Sequence, residues 1–187
     1  MTFRRAARGF SLIEILVVVF VVGVVASIAL LSVGLAGDDR ELETEARRFA
    51  ALMERAQDEA VLQGREFGLE VMQNGYRFVE YDPFVSQWAE LFGDDIFRQR
   101  SLPDGTEFEL FLEGQRIALE PEPAEFDDPD AEPAAGPVAS YEPHVFVFSS
   151  GETSPFELRI LRPATEDTVI VRREPLGAVE IVDDDGA

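Results

Sequence analysis

The longest hydrophobic stretch of the chain lies close to its start. From Ile15 to Ala36 there are 22 consecutive residues without a charge. As a helix rising about 1.5 Å per residue, this stretch would extend roughly 33 Å, which matches the hydrocarbon core of a bilayer. Arginines precede it, and the acids Asp38 and Asp39 follow it. The pattern predicts a transmembrane helix over residues 10–36 with its N-terminus in the cytoplasm.

The following segment, residues 38–64, has the period of an amphipathic helix. Apolar residues recur at spacings of three and four, and charged residues occupy most of the positions between them. Gly64 is typical of the residue that ends a helix. We expect this segment to continue the first helix and to pack one apolar stripe on a folded domain. The stripe consists of Leu42, Ala46, Phe49, Met53, Ala56 and Ala60, with Leu52 beside it.

Beyond Gly64 the hydrophobic period shortens to two, which is typical of strands. Phe67, Leu69 and Val71 alternate with other residues, and Asn74-Gly75 is a strong hairpin-turn signal. Further strands separated by turns are predicted as far as residue 183, whereas residues 82–99 are expected to be irregular or to form a short helical turn. The predicted strand segments are 76–81, 107–112, 115–119, 144–148, 156–161, 168–172 and 178–182.

These patterns predict an α+β fold. A long N-terminal helix, membrane-spanning in its first half and amphipathic in its second, would pack on a β-rich domain formed by residues 65–183. Residues 184–187 are expected to be a solvated tail.

Residues 120–143 differ in kind from the strands around them. They contain eight acids, six prolines and no basic residue, so they hold too little apolar surface to fold alone. We expect an exposed, extended or disordered loop, whose deletion over roughly residues 122–140 leaves the domain folded. The acids Asp127, Asp128 and Asp130 could bind Ca²⁺, but the spacing of an EF-hand is absent and a solvated acidic loop is the favoured interpretation.

The charge of the whole chain is strongly one-sided. It has 37 acids and 16 basic residues, all of them arginine, for a net charge of −21. Such a chain repels phosphates, so no nucleic-acid partner is predicted. There is no cysteine, and the single histidine, His144, leaves no histidine cluster for a metal and no G-x-S-x-G pattern nearby. We therefore predict no catalytic residue, no metal site and no cofactor.

One acid interrupts the apolar pattern at the N-terminus. Glu14 lies immediately before the uncharged run, and an ionised carboxylate at the centre of a bilayer costs about 2.5–3.5 kcal/mol. A secretory signal peptide has a shorter apolar core, of about 7–15 residues. A plain membrane anchor has the required length but gives no reason for Glu14. The residues ahead of it include three arginines and no acid: Arg4, Arg5 and Arg8.

The stretch Gly9-Phe10-Ser11-Leu12-Ile13-Glu14 resembles the class III leader junction of type IV pilins and type II secretion pseudopilins. That family has a short basic leader ending in Gly, then Phe, three further residues and Glu. The resemblance implies that a prepilin peptidase removes residues 1–9 by cutting after Gly9 and that Phe10 is N-methylated. It also implies that Glu14 is a docking residue, which neutralises the N-terminal amine of a neighbouring subunit as helices pack into a filament.

Two later stretches resemble the H-type minor pseudopilins of type II secretion systems and the related FimT-like minor pilins. Val145–Leu161 is similar to that family's strand–glycine turn–strand element, and Val169–Val182, with Gly177 at its turn, to its closing hairpin. The resemblance implies an antiparallel two-sheet β domain packed on the helix. It further implies a single-pass protein of the bacterial inner membrane, with its C-terminal domain in the periplasm, at or near the tip of the pseudopilus.

The partners implied by this resemblance are the major pseudopilin and the other minor pseudopilins. The prepilin peptidase, the inner-membrane secretion platform and the lipid bilayer would also contact the chain. The chain has no P-loop pattern of its own, so the resemblance makes it a moved part of the machine and not its motor.

Two alternatives are weighed against a type II secretion subunit. The first is a minor pilin of a type IV pilus or DNA-uptake machine. Removal of the leader would change the net charge from −21 to −24, whereas a DNA-binding tip needs exposed basic residues. The second is a membrane-anchored periplasmic enzyme or Ca²⁺-binding module, which would leave Glu14 unexplained.

Overall fold

The structure, a computed structural model, describes residues 12–91, 95–126, 141–175 and 177–183, with the side chains of residues 27–39 and 183 outside that description. The chain divides into two compact units, one up to Glu41 and the other from Leu42 onward. The helix α1 (Leu12–Gln63) contributes residues to both units.

The second half of α1 forms as its sequence period requires. All six residues of the predicted apolar stripe are buried, and the charged residues between them lie mostly on the exposed faces. Gly64 ends the helix with a left-handed φ of +65°, which a glycine adopts without steric strain. The N–H of Arg65 then donates to the carbonyl of Ala60 at 3.1 Å, which closes the last turn. The predicted amphipathic helix and its end are confirmed.

Ten strands follow among the described residues, and every pairing between them is antiparallel. They are β1 (Phe67–Met72), β2 (Gly75–Asp82), β3 (Gln87–Glu90), β4 (Arg100–Ser101), β5 (Glu107–Leu112), β6 (Gln115–Ile117), β7 (Val145–Val147), β8 (Phe156–Arg162), β9 (Asp167–Arg173) and β10 (Val179–Asp183).

The strands form two five-stranded sheets. The first has the order β3-β2-β1-β7, with β4 also paired to β2, and the second has the order β10-β9-β8-β5-β6. The inner faces of both sheets and the apolar stripe of α1 belong to one hydrophobic core. The predicted α+β arrangement, a helix packed on an antiparallel two-sheet domain, is confirmed.

Phe49 lies where the helix meets both sheets. Its ring is fully buried and lies 5.2 Å from Tyr76 of β2, 5.9 Å from Phe156 of β8 and 6.5 Å from Phe108 of β5, measured between ring centroids. Two of these contacts are edge-on, the arrangement that aromatic rings prefer. One side chain of the helix therefore packs simultaneously on both sheets.

The first hairpin forms as predicted, but its turn lies one residue earlier. Met72 pairs with Gly75, so Gln73 and Asn74 form the turn and Gly75 begins β2. The reason is tertiary: a Cβ at Gly75 would lie 2.6 Å from the carbonyl oxygen of Arg100, in the strand that pairs with it. The glycine is needed for the close approach of β4 and not for the turn.

The expectation that residues 82–99 lack strands was wrong. Residues 87–90 form β3, which pairs with β2. The ring of Trp88 lies 5.3 Å from that of Tyr81, its cross-strand partner. Aromatic pairs of this kind stabilise a hairpin, and four residues that include Gln87 and Glu90 are too short and too polar a segment to reveal the strand.

The two strands around the turn at residues 149–152 belong to different sheets. β7 pairs with β1, whereas β8 pairs with β5 and β9. Only one isolated bridge, between Val147 and Thr153, joins the neighbouring segments among the described residues. This connection carries the chain from one sheet to the other, a role that a strand–turn–strand pattern in sequence does not distinguish from a hairpin.

The described ends of the acidic segment are attached to the first sheet. Glu70 and Arg77, paired positions of β1 and β2, are both about 5% exposed and form an ion pair of 2.5 Å. Glu70 also accepts hydrogen bonds from the N–H of Ala124 at 2.8 Å and from the hydroxyl of Tyr141 at 3.0 Å. Arg77 donates to the carbonyl of Ala124 at 2.5 Å and lies 4.3 Å from the ring of Phe126.

This cluster of Glu70, Arg77 and their loop partners is called the loop clamp below. The rings of Phe126 and Tyr141 lie 5.0 Å apart, so the chain leaves and re-enters the described domain at one point. Burial and the charge of Glu70 raise the pKa of Tyr141 far above its usual value, which keeps its hydroxyl a donor. The described ends of the segment are therefore attached to the sheet through Ala124, Phe126 and Tyr141, although most of residues 120–126 are exposed. Residues 127–140, with Asp127, Asp128 and Asp130, lie outside the described residues.

Replacing Phe49 with Ala should lower the free energy of unfolding by about 3–5 kcal/mol, because the cavity lies where the helix meets both sheets. The measurement is denaturant unfolding of the detergent-solubilised chain. Leu62→Ala is the matched control, since Leu62 is 79% exposed and its truncation should change stability by no more than about 0.5 kcal/mol. Equal effects of the two substitutions would contradict the packing described here.

Two deletions should separate the loop clamp from the segment that it holds. Joining Phe126 to Tyr141 by a short glycine–serine linker, in place of residues 127–140, should keep the thermal midpoint nearly unchanged. Deleting residues 122–140 also removes Ala124 and Phe126, and should cost roughly 2–4 kcal/mol because buried Glu70 and Arg77 lose hydrogen-bond partners. Equal midpoints for the two deletions would show that the clamp contributes nothing.

Candidate functional site

The first described turns of α1 expose apolar side chains on every face. All residues from Leu12 to Ala26 are exposed, and Glu14 is the one charged residue among them. A helix that is apolar all round is typical of one surrounded by lipid or by other helices. Glu14 lies on the first turn of the helix and is itself exposed.

Among the residues that the structure describes, no helix is both long and apolar enough to cross a membrane. The predicted transmembrane segment, residues 10–36, lies partly outside the described residues, which begin at residue 12 and omit the side chains of 27–39. Its spanning role therefore stays a prediction.

The residues of the predicted cleavage junction lie outside the described part of the chain. These are Gly9 and Phe10, together with the leader arginines Arg4, Arg5 and Arg8. Of the predicted site residues, Glu14 alone has a described position, so the structure does not test the pairing of Glu14 with an N-terminal amine.

His144 has a structural position. Its Nδ1 accepts a hydrogen bond of 3.1 Å from the backbone N–H of Val71, and the backbone N–H of His144 donates to the carbonyl of Leu69. Burial lowers the pKa of the imidazole, an effect that the nearby charge of Glu70 partly opposes. A neutral ring retains Nδ1 as an acceptor. His144 therefore helps to align β1 with β7, the strand that begins at the next residue. Within the described ranges no three His, Cys, Asp or Glu side chains form a group suited to a metal ion.

A second buried polar link, which the sequence analysis missed, ties α1 to the sheets. The amide of Gln57 donates to the carbonyl of Gly151 at 2.5 Å and accepts from Arg173 at 2.6 Å. Arg173 is 2% exposed, and burial lowers the pKa of its guanidinium, with Glu54 opposing that effect. Gln57 thereby bridges the connection between the two sheets and the end of β9.

The loop clamp was also missed by the sequence analysis, although a signal for it existed. Glu70 and Arg77 are opposite charges in the two strands of one predicted hairpin, and the observed turn at Gln73-Asn74 places them directly opposite each other, whereas a turn at Asn74-Gly75 would place Val79 opposite Glu70. Opposite charges at paired positions favour a cross-strand ion pair. For Gln57 and Arg173, 116 residues apart in the chain, no local pattern exists.

Comparison with known proteins agrees with the N-terminal sequence motif around Glu14 and with the β domain that follows it. The model of the prokaryotic N-terminal methylation motif matches residues 4–30, and the model of the type II transport protein GspH matches residues 45–177. Type II secretion system protein H of Pseudomonas aeruginosa is 35% identical over 162 residues, which cover 87% of each chain. The Aeromonas hydrophila protein of the same name is 32% identical over 184 residues, 97% of each chain.

Solved structures show the same fold. The minor pseudopilin EpsH from the type II secretion system of Vibrio cholerae superposes with a TM-score of 0.60 at 23% identity, over 80% of this chain and 98% of its own. The solution structure of Escherichia coli GspH gives a TM-score of 0.56 at 18% identity, over 80% and 94% of the two chains. From the matched model and the two sequence relatives, the chain belongs to the GspH family of type II transport proteins.

Proposed function

We propose that this protein is a minor pseudopilin of a type II secretion system. It assembles at or near the tip of the periplasmic pseudopilus and thereby helps to export folded proteins across the outer membrane. The observation that carries the proposal is Glu14. It is a lone acid on the first turn of an otherwise apolar, exposed stretch of helix, inside a matched methylation motif. The family is structural and not enzymatic, and its named relatives belong to type II secretion systems, which favours this machine over a type IV pilus.

The proposed assembly starts with processing of the N-terminus. Prepilin peptidase cuts between Gly9 and Phe10, and Phe10 is then N-methylated. The arginines of the leader, Arg4, Arg5 and Arg8, hold the N-terminus on the cytoplasmic side of the inner membrane. The mature chain crosses that membrane once through residues 10–36 and places its β domain in the periplasm.

Glu14 then acts as the docking group. Cleavage creates a positive amine at Phe10, and the carboxylate of Glu14 pairs with the amine of a neighbouring subunit as the helices pack. In lipid, two paired charges cost far less than two separate ones, so the pairing selects a defined axial position between neighbours. The neighbours are the major pseudopilin and the other minor pseudopilins, with the inner-membrane platform at the base of the assembly.

Mass spectrometry of the N-terminal peptide tests the processing step. The protein isolated from its native membrane should yield a peptide that begins at Phe10 and carries one additional methyl group. A peptide beginning at Met1, or a cut near Ala26 or Ala36, would contradict the pseudopilin proposal.

Replacing Glu14 with Ala should leave the domain folded and the chain inserted in the membrane. Its co-purification with the other pseudopilins should fall about tenfold, because a loss of about 1.4 kcal/mol in pairing free energy changes an equilibrium constant by that factor. Ile15→Ala is the matched control, since it alters an exposed neighbour on the same helix without removing a charge. Glu14→Asp, which keeps the charge, should retain part of the co-purification. Wild-type co-purification and secretion in the Glu14→Ala strain would rule out the docking role.

A further inference from the structure

The hairpin between β2 and β3 presents apolar side chains that the described domain leaves uncovered. At its tip, Phe84 is 97% exposed and Val85 is 62% exposed. Isolated apolar residues on a surface are ordinary, but a continuous apolar patch marks a site of interaction. Here the two strands of the hairpin carry Tyr81 and Trp88, which begin a row of four rings that continues through Phe146 to Phe148.

The row of rings is continuous across the outer side of the first sheet. Ring centroids lie 5.3 Å apart for Tyr81 and Trp88, 5.6 Å for Trp88 and Phe146, and 6.0 Å for Phe146 and Phe148. The first three rings are partly exposed, and Phe148 is exposed. These four rings with Phe84 and Val85 are called the hairpin face below.

The tip is held in its extended position and does not collapse onto the sheet. The N–H of Phe84 donates to Oδ1 of Asp82 at 2.8 Å, and Asp82 pairs with Gln87 at the base of the turn. Ser86 has a left-handed φ of +57°, which is costly for a residue other than glycine. A turn fixed in this way presents Phe84 to a partner with little loss of conformational freedom on binding.

The surroundings of the hairpin face are acidic. Arg77 of β2 and Arg65, just before β1, are engaged in ion pairs with Glu70 and Glu80. The acids around the face have no ion pair among the described residues. They are Asp82 and Glu90 on the hairpin strands, Glu142 beside Tyr81 and Trp88, and Glu152, whose carbonyl accepts from the N–H of Phe148.

We propose that the hairpin face docks onto another protein subunit through a surface that combines an apolar pocket with lysine or arginine side chains. The acidic rim selects the occupant. A second copy of this chain is equally acidic, with a net charge of −21 that becomes −24 without the leader, and would be repelled, and an anionic lipid surface would be repelled as well. The apolar rings supply the binding energy, and the rim supplies orientation and specificity.

The inference rests on the proposed function for the identity of the partners, which are expected among the other pseudopilins. It does not depend on Glu14, because the hairpin face and the N-terminal helix would form separate contacts. The N-terminal mass spectrum therefore tests the proposed function on the same sample, independently of the hairpin face.

The composition of the chain makes the test selective. It contains neither cysteine nor lysine, so an engineered cysteine is its only thiol and its N-terminal amine is its only amine; every lysine adduct of a thiol-to-amine cross-linker therefore comes from another molecule. Gln87→Cys places this thiol on an exposed position beside Phe84 and leaves every residue of the hairpin face intact. The full-length variant is cross-linked in its native membrane with a maleimide–succinimide reagent, and the products are identified by mass spectrometry.

The expected product joins residue 87 to a lysine of another pilin-class subunit. Phe84→Ser in the Gln87→Cys background should reduce its yield about tenfold or more, since truncating a central aromatic anchor commonly costs at least that much affinity. Phe84 is almost fully exposed, so this substitution leaves the fold intact. Gln115→Cys, on an exposed strand of the other sheet, is the matched control and should give little of this product.

Four results would overturn the inference. Cross-linking of two Gln87→Cys chains by a bismaleimide reagent, in a parallel sample, would identify a second copy as the occupant. An adduct with an aminophospholipid would identify the membrane surface. Equal yields from Gln87→Cys and Gln115→Cys, or no product while Phe10 is correctly methylated, would show that the hairpin face is uncovered and leave the proposed function standing.

Discussion

The structure depends on the burial of one helical stripe between two sheets. Six apolar residues of α1 are wholly buried, and Phe49 among them contacts rings from β2, β5 and β8. Neither sheet has a complete core alone, because each presents an inner apolar face that only the other sheet and the helix cover. The β domain therefore forms around the second half of the helix.

The single helix α1 carries two distinct hydrophobic patterns. In residues 12–26 the apolar side chains surround the helix and are exposed, whereas from Leu42 onward they form one buried stripe. The first pattern suits contact with lipid or with other helices, and the second suits contact with a domain of the same chain. Glu14, the one charge in the first pattern, is consequently the residue with a proposed role in assembly and none in the fold.

Polar links add specificity to the core. Gln57 and Arg173 join the helix to the connection between the sheets and to the end of β9, and Glu70 and Arg77 hold the ends of the acidic segment. A buried charge without a partner would cost several kcal/mol, so the clamp allows insertion of an acidic segment only where its own backbone and rings complete the hydrogen bonds. The described ends of the acidic segment are thus held on the first sheet by residues of β1 and β2.

The sequence by itself determined the elements whose cause is local. Residue spacing indicates the helix stripe, the end of the helix at Gly64, the hairpins, and the cleavage-motif pattern at Gly9, Phe10 and Glu14. The observed helix and hairpins and the two matched family models agree with these patterns. Cleavage, methylation and docking at that motif stay predictions.

Only the tertiary structure decided the features whose partners are distant in the chain. These are the position of Gly75 against Arg100, the assignment of β7 and β8 to different sheets, the strand β3, and the polar links of Gln57 and Glu70. A periodic pattern indicates which face of a helix or strand is buried, but not which element covers that face. The covering element is decided by packing between residues that are distant in the chain, as Gln57 and Arg173 are, 116 residues apart.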